Sequence, residues 1–349
     1  MVVQATMTIL LSIVPLLLMG QSQSIKENMI EKIFEYGALA PSSHNAQMWY
    51  ISKEKEGLYK VGIDPQWRLQ VVDPHDREAY ISIGAFIQNC VLAAPLHGFS
   101  IDITIKDTVV YLNFLDYIRE KREYECNLME IKNRHTCRMS FQNKQISSDV
   151  LKNISLSFGN LEYIDCRSVV GRELIDMIVR SNIVQLSSKN SMEELTDFIV
   201  LKKNDKRRER GLTLESLGLN QIERFFFRII YAKKNFINNK SFISSSIRST
   251  KNQLNNCSGF FMLYTRNDTP EDLIRLGMKL ESLWIKLNSM GISVHPMSQP
   301  LEEMPDSIAN LFPGAGKPEM ILRVGYCKHK HPRRKLRKKM AISKNQNQE

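Results

Sequence analysis

Two segments of this chain are so apolar around their whole circumference that any fold must bury both as helices. "DPHDREAYISIGAFIQNCVLAAPLHGFS" opens on a capping aspartate and an acidic first turn and ends at Gly98. "TPEDLIRLGMKLESLWIKLNSMGISV" is long, mostly apolar, and ends at Gly291. A helix with almost no polar face belongs in the interior of a large core. Gly84 and Gly98 stand 14 residues apart, as do Gly277 and Gly291. Between them the apolar positions coincide: Ala85 with Met278, Ile87 with Leu280, Cys90 with Leu283, Leu92 with Ile285, Ala94 with Leu287. Buried helices look alike and often end at glycine, so two unrelated core helices are one explanation. The repeated order of helices and strands around them supports the other, a duplicated α+β unit.

The remaining elements follow from periodicity. "SIKENMIEKIFEYGALAP" has Ser24 as N-cap and apolar residues at helical spacing, and Pro41 stops it. "LYKVGID", "IDITI" and "VVYLNF" read as strands. A second pass begins near Asn133, with helices in "ISSDVLKNISLSF" and "ELIDMIVRSNIVQL". "GFFMLYTR" and "EMILRVGY" are its buried strands.

With 349 residues the chain can form one large or two ordinary domains. Its net charge of +11 is uneven, because Cys327 to Glu349 holds nine Lys or Arg and one Glu, leaving only +3 elsewhere. A neutral body with a basic tail, and no basic region interleaved with aromatics, argues against a nucleic-acid reader. The six cysteines are scattered, with no CxxC pair and no His at ligand spacing, so no zinc site is expected. Before Lys26 the apolar run Ile9 to Met19 has the length of a signal-peptide core rather than a membrane span. Residues 1–24 therefore read as an export signal or membrane anchor. The alternative is an apolar helix packed on a partner in a cytoplasmic protein.

Two polar stretches carry the chemistry. "APSSHNAQMWY", Ala40 to Tyr50, gathers small polar residues directly after an apolar helix. Such residues serve turn geometry, and they equally let backbone approach a ring-shaped ligand and offer it donors and acceptors. "NRHTCRMSF" places Arg134 and Arg138 around Thr136, which suits either a solvated basic turn or a phosphate cup.

Both stretches resemble the flavin-binding signatures of the nitroreductase superfamily. The larger pattern resembles its Acg-like branch, where one chain holds two fused nitroreductase-like halves. "RHTCRMSF" is similar to the phosphate-binding R-[RH]-[ST]-x-[RK]-x-F signature, with one extra residue before Phe141. "APSSHNAQMW" is similar to A-P-S-x-x-N-x-Q-P-W, with Met48 where proline is usual. "GISVHPMSQPL" resembles the later loop that passes the flavin ring, and "HPRRKLR" the C-terminal basic segment that reaches the phosphate.

That resemblance implies an α+β, nitroreductase-like FMN-binding fold, an internally duplicated pseudo-dimer in a monomeric chain. Residues 25–130 would form the first half and 131–336 the second, with a helical lid inserted at 190–256 and a basic tail at 337–349. FMN would be held by Arg134, His135, Thr136 and Arg138 at its phosphate, with charge added by Arg333 or Arg334. Pro41, Ser42, Ser43, Asn45 and Gln47 would reach the ring from one side, and Pro296, Met297 and Ser298 would pass it on another. Because each half-motif survives in one copy, one flavin per chain is expected. The implied activity is hydride transfer from NAD(P)H through flavin N5 to a nitroaromatic or quinone-like acceptor, with no catalytic side chain required. The competing expectation is an FMN store with little turnover, closed by the inserted segment.

Overall fold

The computed structural model describes residues 23–117, 122–159, 161–201, 209–217, 224, 240–314, 316–327 and 337–344. The apolar stretch 1–22, the basic run 202–208, the aromatic cluster Phe225 to Tyr231, and Arg333 and Arg334 lie outside the described residues.

The first expected helix covers residues 23–37 (α1) and buries Ile30, Ile33 and Phe34; Ser24 lies within it rather than capping it. Then come β1 (Trp49–Lys55), β2 (Leu58–Ile63), α2 (Arg77–Ala93), β3 (Phe99–Lys106), β4 (Val109–Asp116) and α3 (Arg122–Asn133). Next are α4 (Ser148–Phe158), β5 (Leu161–Asp165), α5 (Val169–Ser187), α6 (Lys189–Phe198), and the two-residue strands β6 (Ile199–Val200) and β7 (Leu212–Thr213). The chain closes with α7 (Lys240–Leu254), β8 (Gly259–Thr265), α8 (Pro270–Ser289), β9 (Ser293–Pro296), α9 (Gln299–Glu303), α10 (Pro305–Leu311), β10 (Lys317–Gly325) and β11 (Ile342–Lys344). This is an α+β fold.

One sheet has strand order β11-β1-β2-β4-β3 and the other β5-β8-β10-β9. In the first, alternate residues of β4 (Val110, Leu112, Phe114) turn inward and their neighbours do not, the pattern of a sheet with one covered face. In the second, β8 is buried along its whole length. Phe261 and Leu263 join the main core on one face, and Phe260, Met262 and Tyr264 join a separate cluster on the other. That explains why its sequence shows no alternation.

The two apolar helices, α2 and α8, cross between the sheets. A Cβ on Gly84 would lie 1.9 Å from the Ile274 carbonyl oxygen, and one on Gly277 would lie 2.0 Å from that of Ile81. Each glycine thus meets the residue three positions before the other, a reciprocal contact with the form of a local twofold axis. Only glycine allows two helix backbones this close. Although α2 with its following turn is long and apolar enough to cross a membrane, 72% of its apolar window is buried inside the fold.

Candidate functional site

Around this crossing the chain leaves a cavity of about 280 Å³. Pro41, Ser42, Ser43, Thr136, Arg138, Pro296 and Ser298 all line it. Three segments far apart in sequence therefore meet on one wall. Its apolar floor comes from the helices, with Ile81 and Ala85 on α2 and Leu280 and Trp284 on α8.

The first polar segment is an unusual backbone. His44, Asn45 and Gln47 have φ of 49°, 53° and 51°, three left-handed residues within four positions. Such conformations are uncommon outside glycine, and Asn and His tolerate them better than most residues. Strain of this kind persists only where surrounding contacts over-determine it. Here they do. The Ser43 hydroxyl donates to the Glu78 carboxylate, and the Gln47 backbone N–H donates to Ser42 Oγ at 3.0 Å. Asn45 Nδ2 donates to the Gly211 carbonyl at 2.9 Å, and Gln47 Nε2 to that of Glu209 at 2.7 Å. Asn45 and Gln47 thus shape the loop rather than line the cavity.

The C-terminal chain locks the loop from behind. Arg337 donates to Asn45 Oδ1 at 2.7 Å and to the Leu39 and Ala40 carbonyls at 3.0 and 3.1 Å. Burial pushes its guanidinium down to about 9, with Arg134 adding to the effect. Lys338 N–H reaches Gln47 Oε1, and β11 then pairs with β1 in parallel. The start of the basic tail is therefore part of the fold, whereas tail charge alone suggests a solvated terminus. Arg337→Ala should lower the unfolding free energy by about 2 kcal/mol, since it removes charge-assisted bonds to buried acceptors. Urea unfolding measures this directly, and a loss of a few tenths would mean the tail is not anchored.

The second segment divides between two roles. Arg134 is 2% exposed and faces away from the cavity. It pairs with buried Glu281 at 3.0 Å, lies 4.7 Å from the Trp284 ring centre and donates to the Leu39 carbonyl. His135 is likewise structural, its carbonyl accepting from Trp284 Nε1 at 3.1 Å. Beyond it Thr136 bridges to Val294 of β9, which brings Thr136 and Arg138 onto the cavity wall. The expected cup of two arginines around a hydroxyl is thus reduced to Thr136 and Arg138. Arg138 donates to the Ser216 carbonyl at 2.9 Å and has no carboxylate partner among the described residues. Burial lowers its guanidinium to about 10.

From β9, Pro296 and Ser298 face the cavity, but Met297 belongs to the second core cluster. Its N–H is bonded to the Ile321 carbonyl at 2.8 Å and cannot be offered to a ligand. The described parts of the 190–256 stretch close another side of the cavity through Ser191, Met192, Leu195 and Leu212. Arg210, from the same stretch, packs 3.9 Å from the Trp67 ring centre and donates to the Ala46 and Gln47 carbonyls.

Sequence motifs overlooked three charged residues that build the site. Arg323 of β10 is fully buried and donates to the Cys137 and Met139 carbonyls at 2.9 and 3.0 Å. It thereby fixes the backbone on both sides of Arg138. Glu78 of α2 and Glu302 of α9 line the cavity, each touching Arg77. Arg323 interrupts an apolar strand, and that was the available signal for it; Glu78 sits in an acidic helix first turn and Glu302 in a polar segment, where nothing local marks them.

No protein-family model matches the chain. It is similar to the probable NAD(P)H nitroreductase PigM of Serratia sp. (strain ATCC 39006), with 22% identity over 294 residues, covering 78% of this chain and 80% of that protein. Among solved structures it is similar to the FMN-dependent nitroreductase NfnB of Mycobacterium smegmatis in complex with NADPH, at 13% identity and TM-score 0.37 over 58% of this chain and 88% of that one. A nitroreductase with bound FMN from Desulfitobacterium hafniense DCB-2 is similar at 12% identity and TM-score 0.33, over 59% of this chain and 90% of that one.

Proposed function

We propose that this chain is an FMN-dependent oxidoreductase of nitroreductase type, taking a hydride from NAD(P)H and reducing a nitroaromatic or quinone-like acceptor. The observation that carries this is Arg138, a part-buried guanidinium without a carboxylate partner among the described residues, on a cavity wall beside the Thr136 hydroxyl. A desolvated cation of that kind is stabilised by an anionic ligand, and a phosphate accepts bidentate bonds from it. The remaining lining fits the rest of FMN. Pro41 to Ser43 and Pro296 with Ser298 supply small polar edges, while Ile81, Ala85, Leu280 and Trp284 supply an apolar floor for a ring system. When bound, the flavin supplies the two-electron chemistry and the protein supplies position, electrostatics and access.

The similarity to a protein named as an NAD(P)H nitroreductase favours turnover over storage. The reciprocal contact of Gly84 and Gly277 supports two fused nitroreductase-like halves, as in Acg-like chains. The place of Ser191, Met192, Leu195 and Leu212 on the cavity lining supports a covering role for the inserted stretch. Purified protein supplied with FMN should show a flavin spectrum, saturate near one equivalent and be bleached anaerobically by NADH or NADPH. Absence of flavin uptake would sink the reading, and saturation at two equivalents would show a second working half-site.

A further inference from the structure

Beside the polar loops the cavity lining carries two carboxyl groups that share one arginine. Glu78 comes from the first turn of α2 and Glu302 from α9; both line the cavity, and their carboxyls lie 3.0 and 3.9 Å from the same nitrogen, Arg77 Nη2. Ser298 stands with them on the cavity lining. The Ser43 hydroxyl donates to Glu78 and Gln185 Nε2 donates to Glu302. Two buried carboxyl groups gathered around one cation cannot both ionise at moderate cost, so they hold one proton between them.

The charges around the pair favour keeping that proton. Arg77 is the nearby cation, 3.0 Å from Glu78 and 3.9 Å from Glu302, and it is shared with Glu319 at 4.0 Å. Asp73 adds further negative charge from the N-terminal side of α2, and its carboxyl is itself raised to about 6 by burial and by Glu78. His44 faces Glu78 with its own pKa lowered by burial, so it adds no fixed positive charge. Burial and then Glu78 hold the Glu302 carboxyl well above the usual carboxylate range. Glu78 is held below its ordinary value although burial opposes it, chiefly because Arg77 is adjacent. These surroundings favour Glu302 over Glu78 as the holder of the proton. In this chain a protonated acid opens onto the same cavity as Arg138 and the two polar loops.

We propose that Glu302, sharing one proton with Glu78, is the acid that protonates the acceptor during its reduction. The inference rests on the oxidoreductase reading above and adds to it a protein group that flavin chemistry alone does not require. A hydride carries two electrons and one proton, so reduction of a quinone to a hydroquinone needs one proton more. That proton comes from the Glu302 O–H bond, the new O–H bond forms on the acceptor oxygen, and the carboxylate left behind regains a proton from solvent. A nitro group reduced to nitroso plus water has the same balance of one hydride and one proton, with an N–O bond breaking. The Gln185 and Arg77 contacts hold the carboxyl in place and stabilise the pair when it carries its full negative charge.

Two measurements test this. In the cofactor-free protein at neutral pH, infrared difference spectra of wild type minus Glu302→Gln should show the C=O stretch of one protonated carboxyl, shifting in deuterated water. The absence of that band would show that Glu302 is ionised and overturn the proposal. In the reduced, flavin-loaded protein, Glu302→Gln should slow reoxidation by a quinone about a hundredfold, the scale of general-acid catalysis. Reoxidation by ferricyanide, which takes electrons without a proton, should keep its rate. Glu302→Asp should recover part of the quinone rate. Equal slowing with both acceptors would mark a structural role, and unchanged quinone rates would remove Glu302 from the reaction; either result overturns the assignment. Failure of the wild type to take up flavin would instead sink the functional reading, with the infrared band still deciding whether the pair shares a proton.

Discussion

Substituting alanine at Gly277 should destabilise the protein by about 3 kcal/mol, at the upper end of the range for overpacking a core. The same is expected at Gly84. The added methyl meets backbone, not the free end of a side chain: the Ile81 carbonyl in one case and the Ile274 carbonyl in the other, at 2.0 and 1.9 Å. Backbone in two long helices cannot rotate aside, so α2 and α8 must separate along their contact. Many packed pairs in the main core loosen together, because both helices contribute to it throughout their length. The double variant should cost clearly less than the two single losses added together. A separation that admits one methyl makes room for the other, and neighbouring sites of this kind are not additive. Denaturant unfolding of the two single variants and the double variant provides the cycle. Strict additivity, or single losses below about 1 kcal/mol, would mean that the helices do not meet at these glycines. Cofactor affinity should fall in the same variants without any cavity residue being touched, since α2 carries Glu78 and α8 carries Trp284.

Both helices of that crossing were legible in the sequence, because burial on all faces leaves a compositional trace, but their contact at the two glycines was not. Strands β2, β3, β4, β8 and β10 were legible for similar reasons. β1 was not: "WYISKEK" is buried at Trp49 and Ile51 but polar and more exposed after them, so alternation fails halfway. The polar loops could be read as ligand-binding stretches, yet the sequence could not divide their residues between lining and scaffolding. Arg134 and Arg138 share a residue type and a short segment, but a bridge to Val294 directs Thr136 and Arg138 to the cavity wall, and Glu281 holds Arg134 inside the core. The partner lies 147 positions away on α8, a pairing set by tertiary structure and invisible to local spacing. Glu78, Glu302 and Arg323 were missed for the same reason. Their meaning depends on burial and on distant partners, which local sequence does not show; only Arg323, inside an apolar strand, stands out at all.

Arg134 and Arg138 should therefore respond in opposite ways to replacement by alanine. Arg134 is paired with Glu281, which is fully buried, and its guanidinium is held below its ordinary value by burial. Removing one member of such a pair leaves an uncompensated charge in the core, a loss of about 3–5 kcal/mol. Arg337 lies close enough to feel both Arg134 and Glu281, so it partly neutralises the exposed carboxylate, and the lower end of that range is expected. Arg138 stands on the cavity wall without a carboxylate partner among the described residues and with its guanidinium lowered by burial. Its removal relieves a desolvated charge, so the cofactor-free protein should lose little stability or gain slightly. What it should lose is the proposed phosphate contact, worth about 1.5–3 kcal/mol, or roughly ten- to a hundred-fold in FMN affinity. Cys137→Ala, altering the residue just before Arg138, serves as the control and should leave affinity near that of the wild type. Denaturant unfolding without FMN and FMN titration of the folded fraction separate the two effects. If both arginine variants lost stability equally, or if Arg138→Ala bound FMN as tightly as Cys137→Ala does, the division of the motif into a core ion pair and a ligand-facing cation would be wrong.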